Sequence, residues 1–205
     1  MVTSADIPTS GSYILSNGKI ASCLIDDLPI DMAVDKDGLV GVDITITDGK
    51  LAKFSAPGES TGLSHLDLGG RFVWPCFVDV HTHIDKGHIW PRKRNPTGTR
   101  PGALSSTAED REKNWTKGDV RSRMDFSLRC AYAHGTAAMR THLDSTPPQH
   151  TISWPVIAEL RETWAERITL QAVCLEPIWG YEDKGFGVEI ADMMVEFRGI
   201  LGAVL

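Results

Sequence analysis

Residues 71–85 read RFVWPCFVDVHTHID, and this stretch decides the fold. Its apolar residues are too densely spaced for a half-exposed strand, so it predicts a fully buried parallel strand. The strand runs directly into His81-Thr82-His83. Alternate side chains of a strand point to the same face, so both imidazoles can reach one cation. An H-x-H tripeptide can also occur by chance. This one, however, lies at the C-terminal end of a predicted parallel strand, which is where barrels of parallel strands have their active sites. We therefore predict that His81 and His83 bind a metal ion.

Downstream of this stretch, helix and strand patterns alternate strictly. Residues 116–119 resemble a capping box and predict the start of a helix that ends at Gly135. Its apolar residues repeat at helical spacing: Val120, Met124, Leu128 and Ala131. Strands are predicted at 136–141 and 168–175, and a fourth begins at 200–205. Ser153 is the predicted cap of a second helix, whose buried stripe is Val156, Ile157, Leu160 and Trp164, and a third helix spans 188–197. This alternation predicts an α/β fold with a parallel sheet.

The first 70 residues predict a small β module. Two hairpins are expected, one turning at 16–19 through Asn17-Gly18 and one turning at Asp48-Gly49. Gly69-Gly70 marks the boundary between this module (residues 1–70) and the β/α region (residues 71–205).

Residues 88–115 show no helical or strand period and contain three prolines, so they predict a long loop. Such a loop is typically a lid or a binding loop. The run Arg92-Lys93-Arg94 within it can attract an anionic substrate, but basic runs are common on solvated surfaces, and we favour a solvated face.

Composition excludes several classes of function. A net charge of −6 argues against nucleic acid as a partner. No apolar run reaches the length of a membrane-spanning helix, and residues 1–12 lack the apolar core of a secretory signal. The four cysteines have no C-x-x-C spacing, so we expect reduced, mostly buried thiols and a cytoplasmic protein.

Three segments together resemble a known family: FVDVHTHID at 77–85, RTHLD at 140–144 and LQAV at 170–173. They look like the amidohydrolase superfamily, within its cytosine deaminase-like branch, over about residues 40–205. The resemblance implies the N-terminal part of a (β/α)8 TIM barrel, about strands 1 to 4, with a small β-sandwich module. It also implies a divalent metal ion, zinc or iron, that activates water for hydrolytic release of ammonia. A complete barrel needs about 250 residues, so we expect the chain to be truncated.

The resemblance also implies where further site residues lie. Strands 5, 6 and 8 of the family supply the remaining ligands and the proton-transfer residues, so we expect no catalytic residue before Leu205. Lys86 and Glu176 are predicted to touch substrate. Members that act on cytosine carry a glutamine near position 176, and an ionised glutamate prefers a ring edge that presents N–H groups. Asp85, His142 and Asp144 are predicted to support the ligands without binding the metal.

The sequence thus predicts a metal-dependent deaminase of a cytosine-like or related aminated heterocycle. The alternatives are a triazine (ammelide-type) amidohydrolase, an inactive truncated remnant, and a half-barrel subunit that needs a second chain. The expected partners are a small heterocycle and water, with neither nucleic acid nor membrane, and the full-length form is a candidate homo-oligomer.

Overall fold

A computed structural model describes residues 6–28 and 32–205. The chain divides into two compact units, Met1–Pro75 and Cys76–Leu205. Within the described residues, no helix is both long enough and apolar enough to cross a membrane.

The first unit contains one four-stranded sheet. Its strands are β1 (Tyr13–Ala21), β2 (Leu39–Thr47), β3 (Lys50–Ser55) and β4 (Ser64–Asp67), in the spatial order β3-β2-β1-β4. Strand β2 runs antiparallel to both β1 and β3, whereas β1 and β4 are parallel. A short 3-10 helix, Ser22–Leu24, follows β1. The core of this unit is a cluster of buried aliphatic side chains: Ile20, Ile25, Met32, Val40, Val42 and Ile44.

One of the two predicted hairpins is confirmed and the other is wrong. Asp48 and Gly49 both have positive φ angles, of 50° and 75°, and join β2 to β3, as a type I′ turn requires. Asn17 also has a positive φ, but the chain does not reverse there. The register between β1 and β2 shifts between Leu15 and Gly18, so Asn17-Gly18 forms a β-bulge within one continuous strand.

The second unit is an alternating β/α structure. Its elements are β5 (Phe77–Thr82), α1 (Arg100–Asn114), α2 (Lys117–Ala133), β6 (Thr136–Asp144), α3 (His150–Trp164), β7 (Thr169–Leu175) and α4 (Lys184–Glu196). A 3-10 helix, Ile178–Glu182, precedes α4. The strands form a parallel sheet in the order β5-β6-β7. Single parallel bridges, Val173 to Ile200 and Pro177 to Val204, place the last residues beside β7. This is the predicted strand order of the first part of a barrel.

The core of the second unit lies between the sheet and helices α2, α3 and α4. The predicted stripe of α2 is confirmed, because Val120, Met124 and Leu128 are fully buried. The predicted stripe of α3 is buried as well. The cap predicted for that helix was wrong: α3 begins at His150, and Ser153 accepts a hydrogen bond from Gln149 Nε2 inside it.

Strand β5 corrects a prediction of burial. It pairs in parallel with β6, as expected, but Phe77, Val78 and Val80 are 60%, 64% and 63% exposed. The reason is its position, because β5 is the edge strand of the described sheet. The cysteine prediction was also wrong in part: Cys174 is buried, whereas Cys23 and Cys76 are exposed, and all four thiols are free.

The predicted loop at 88–115 is the largest error, because Arg100–Asn114 forms the helix α1. Thr99 caps it by accepting a hydrogen bond from the backbone N–H of Gly102, and Pro101 is tolerated in the first turn. The helix buries only Ser106 and Asp110, so it has no apolar stripe from which to predict it.

Candidate active site

Three imidazoles cluster at the C-terminal ends of β5 and β6. The ring centroids of His81 and His83 lie 5.2 Å apart, and the ring of His142 stacks on His81 at 4.1 Å. His83 and His142 lie 5.6 Å apart. The strands explain this arrangement, since β5 and β6 are parallel neighbours whose carboxyl ends meet at one edge. The predicted ligand pair is therefore brought together, with His142 beside it.

The chemical state of these rings suits a metal ion. Nδ1 of His83 lies 3.0 Å from the backbone oxygen of His142, so Nδ1–H donates there and the Nε2 lone pair is left free. Burial lowers the pKa of His83, and nearby Lys86 lowers it further. Burial and the neighbouring His81 likewise lower the pKa of His142, whose buried Nδ1 has no hydrogen-bond partner in the part of the chain that the structure describes. Neutral imidazoles are the form that binds Zn²⁺ or Fe²⁺.

The described residues do not by themselves complete a metal site. Among the described residues, no group of three or more His, Cys, Asp or Glu side chains is arranged to hold a metal ion. Two neighbouring imidazoles fit the first part of a coordination shell, and two ligands alone bind weakly. His81 and His83 therefore fit a metal that needs further ligands.

Asp85 follows the histidine pair in the chain and is fully buried. Its Oδ2 accepts a 2.8 Å hydrogen bond from the backbone N–H of Asp144, while Oδ1 has no partner within residues 6–28 and 32–205. Burial, reinforced by the charge of Asp144, raises the pKa of Asp85 to about 7. Arg123 Nη1 donates to the backbone oxygen of Asp85. Asp85 thus joins the end of β6 to the segment after β5, which fixes the spacing of the histidines on both strands.

Asp144 bridges two cations. Its Oδ1 lies 2.6 Å from Lys86 Nζ and its Oδ2 lies 3.1 Å from Arg111 Nη1. Lys86, which the sequence assigns to substrate, is therefore held by a carboxylate two residues after His142. Arg111 comes from α1. The sequence does not predict it as a site residue, because residues 88–115 show no helical period.

These three charged groups line a cavity of about 470 Å³ at the carboxyl ends of β6 and β7. Its other walls are mostly apolar or small side chains: Ala103, Leu104, Thr107, Ala108, Thr146, Leu175, Pro177 and Val204. The volume lies within the usual range for small-molecule sites, and the apolar lining with a few charged groups is typical of them.

Glu176 is buried between two residues that line this cavity, Leu175 and Pro177. Its Oε2 has no hydrogen-bond partner among the described residues, and burial raises the pKa of this carboxyl group. Gly180 leaves room for this carboxylate, because a Cβ at Gly180 would lie 2.4 Å from Glu176 Oε1. Glu176 is therefore a buried residue of the site and not a solvated loop position.

The basic run at 92–94 lies at the surface, as favoured from the sequence, but two of its side chains are held by ion pairs. Arg92 forms a two-pronged ion pair with Asp110, at 2.9 and 2.8 Å, and also pairs with Asp119. Asp110 is buried and accepts a further hydrogen bond from Trp115 Nε1. Lys93 pairs with Glu109. The run therefore anchors α1, which forms one wall of the cavity.

Comparison with known proteins agrees with this geometry. No family model matches the chain. The chain is 42% identical over 198 residues to a pterin deaminase of Rhizobium rhizogenes, a match that covers 96% of this chain and 45% of that protein. It is 29% identical over 152 residues to N-isopropylammelide isopropyl amidohydrolase of a Pseudomonas species, covering 72% and 36%. The chain spans about half or less of the length of these curated relatives.

Solved structures show the same fold. A 5-methylcytosine deaminase of Klebsiella pneumoniae superposes with a TM-score of 0.66 at 18% identity, over 94% of this chain and 50% of that one. An N-isopropylammelide isopropylaminohydrolase of Burkholderia multivorans gives a TM-score of 0.67 at 22% identity, over 94% and 44%. The 42% identity to the pterin deaminase, together with the histidine pair at the end of β5, shows that the chain belongs to the amidohydrolase superfamily, in its deaminase branch, and corresponds to the N-terminal half of its members.

Proposed function

We propose that this chain supplies the first half of a metal-dependent hydrolytic deaminase, with His81 and His83 as its share of the metal ligands. The observation that carries the proposal is the pair of imidazoles at the end of β5, with Nε2 of His83 left free by the hydrogen bond at Nδ1. A divalent ion, zinc or iron, supplies water activation when bound there. The remaining ligands and the proton-transfer groups come from the second half of the barrel.

The substrate we propose is an oxo-amino heterocycle of the pterin type. Support comes from 42% identity to a pterin deaminase along nearly the whole chain. It also comes from Glu176, which occupies the neighbourhood where cytosine-acting members carry a glutamine. A buried carboxylate that lacks one partner accepts a hydrogen bond from a ring N–H or an amine. Lys86, next to the histidines, is the second residue that we assign to substrate.

A triazine is the second candidate substrate. The supporting observation is the 29% identity to an isopropylammelide amidohydrolase, over 72% of this chain. Both candidates are flat, nitrogen-rich rings that the mostly apolar cavity walls suit equally. We further propose that the protein works in the cytoplasm, where such small metabolites are found, and that it forms homo-oligomers at full length.

The test is a fusion protein in which residues 1–205 precede the part of the Rhizobium pterin deaminase that lies beyond its match to this chain. We expect it to release ammonia from pterin in the presence of zinc or iron, faster than from ammelide-type triazines, cytosine or guanine. A folded fusion protein that binds a divalent metal but deaminates none of these compounds would overturn the proposal.

Variants of the histidines provide the internal control. His81→Ala and His83→Ala should each cut the metal content of the fusion protein sharply, measured by elemental analysis. His134→Ala changes an exposed histidine that is not part of the cluster and should leave the metal content unchanged. Equal metal content in all four proteins would show that the ligands lie elsewhere.

A further inference from the structure

Helix α1 brings Arg111 into the cavity. Within the described part of the chain, its side chain makes one hydrogen bond, from Nη1 to Asp144 Oδ2. A guanidinium carries five N–H donors in a planar fork, so most of them are unused. The side chain is 25% exposed and lines the cavity. Arg111 is thus held in place by one carboxylate while it still has donors to offer a ligand.

The charges around Arg111 favour an acceptor. Two cations, Lys86 and Arg111, share the single carboxylate of Asp144, and each of its oxygens already has a partner. Asp144 therefore positions Arg111 and leaves the pair of cations with a net positive charge. Glu176 is close enough for the charge of Arg111 to oppose the rise that burial causes in its pKa. A donor fork and an acceptor carboxylate thus lie near each other.

This pairing matches one kind of ring edge. The apolar walls, including Leu104, Leu175 and Pro177, suit the face of an aromatic ring. An oxo-amino heterocycle carries a ring carbonyl close to N–H groups on the same edge. The carbonyl can accept a hydrogen bond from Arg111, and the N–H groups can donate to Glu176.

We propose that Arg111 is a specificity-determining residue, which donates hydrogen bonds to the ring carbonyl oxygen of the heterocycle bound in this cavity. The inference rests on the proposed function, because it names the group that the same site recognises. A heterocycle with an amino group in place of that carbonyl offers Arg111 no equivalent acceptor and is rejected.

The test compares two probes, pterin and 2,4-diaminopteridine, which differ in having a carbonyl or an amino group at one ring position. Fluorescence titration gives the Kd of each for the fusion protein and, in parallel, for the 205-residue chain. The ratio of the two Kd values does not depend on the folded fraction, so a variant that folds poorly still gives a valid answer. In the wild type we expect pterin to bind more tightly by about tenfold to one-hundredfold.

Arg111→Met should bring this ratio close to one, mainly by weakening the binding of pterin. Arg111→Lys keeps the charge but loses the fork, so it should restore only part of the preference. Lys113→Met is the matched control, since it removes an exposed cation from the same helix and should leave the ratio within twofold of wild type.

The outcomes separate this inference from the proposed function. A fusion protein that deaminates pterin while Arg111→Met keeps the wild-type ratio would overturn the role of Arg111 alone. A fusion protein without deaminase activity whose ratio still depends on Arg111 would overturn the proposed function alone. If neither probe binds to folded wild-type protein, both are wrong.

Discussion

Glu176 is the residue at which stability and function conflict most clearly. Its carboxylate is buried, and one of its oxygens has no hydrogen-bond partner in the described structure. Burying an ionised group without full hydrogen bonding costs free energy, which a purely structural position would avoid. A ligand that donates a hydrogen bond removes that cost. The position is therefore explained by binding better than by folding.

The pH dependence of stability tests this reading of Glu176. Its folded-state pKa lies above the ordinary value of 4.5, so in the window above 4.5 the folded chain holds a proton that the unfolded chain has lost. Stability therefore falls as pH rises through that window. Glu176→Gln removes this cost, so its Tm should exceed that of wild type by more at about pH 8 than at about pH 5.

Thermal melts of the 205-residue chain at several pH values provide the measurement. Glu112→Gln, at an exposed position of α1, is the control for the substitution itself. A difference in Tm between Glu176→Gln and wild type that stays constant with pH would mean that the carboxylate is solvated in the folded state.

Helix α1 is held by polar contacts where the other helices are held by apolar packing. Asp110 is the centre of these contacts, since it accepts from Arg92, Asn114 and Trp115. Because α1 also forms a wall of the cavity, the same contacts set the position of Arg111.

Asp110→Ala should loosen α1 without unfolding the sheet. It leaves the buried indole N–H of Trp115 without an acceptor, at a cost of about 1–3 kcal/mol. Hydrogen exchange should become faster at Arg100–Asn114 and stay unchanged at His150–Trp164. Glu109→Ala removes only exposed contacts, the pair with Lys93 and a hydrogen bond from Ser105, and should change neither helix. Equal protection of α1 in wild type and Asp110→Ala would show that other contacts hold it.

Helix α2 depends on apolar packing. Leu128 is fully buried in the core of the second unit, so Leu128→Ala should cost about 2–5 kcal/mol. Val195 in α4 is 81% exposed, and Val195→Ala should cost less than about 0.5 kcal/mol. Denaturant titrations measure both free energies of unfolding. Similar values for the two variants would contradict the buried position of Leu128.

These elements also show which features the sequence predicts. The stripes of α2 and α3 repeat at helical spacing, so both helices and their buried faces were predictable. Helix α1 has no such stripe, because ion pairs between residues 16 to 27 positions apart hold it, and no local pattern records them. Asn17 does adopt the positive φ that the sequence Asn17-Gly18 favours. Because β-bulges and type I′ turns favour the same residues, the local sequence could not show that a bulge forms here and not a turn.

For the candidate site, the spacing of His81 and His83 was enough to predict that their rings lie together. The hydrogen bond between Asp85 and Asp144 spans 59 positions, and the two cations beside Asp144 come from two other segments. Asp85, Lys86 and Asp144 could therefore be named from the sequence only through the resemblance. Arg111 could not be found at all without the helix that carries it.

At the scale of the whole molecule, the edge strand β5 determines how the 205-residue chain behaves. Its exposed Phe77, Val78 and Val80 form an apolar strand whose outer edge has no partner strand in the described sheet. Such edges pair with other copies. We expect self-association of the 205-residue chain in size-exclusion chromatography with light scattering.

Val78→Lys places a charge on this edge and should shift the population toward monomer. Val188→Lys makes the same change on an exposed position of α4 and should leave the distribution as in wild type. A wild-type chain that stays monomeric at all concentrations would show that the edge is protected.

The central claim is that His81 and His83 bind one metal ion. Anomalous diffraction at the zinc absorption edge, from crystals of the fusion protein grown with zinc, tests it most directly. The claim predicts one strong anomalous peak about 2.0–2.1 Å from a ring nitrogen of both His81 and His83. A zinc peak bound by other residues, with neither histidine among its ligands, would contradict it.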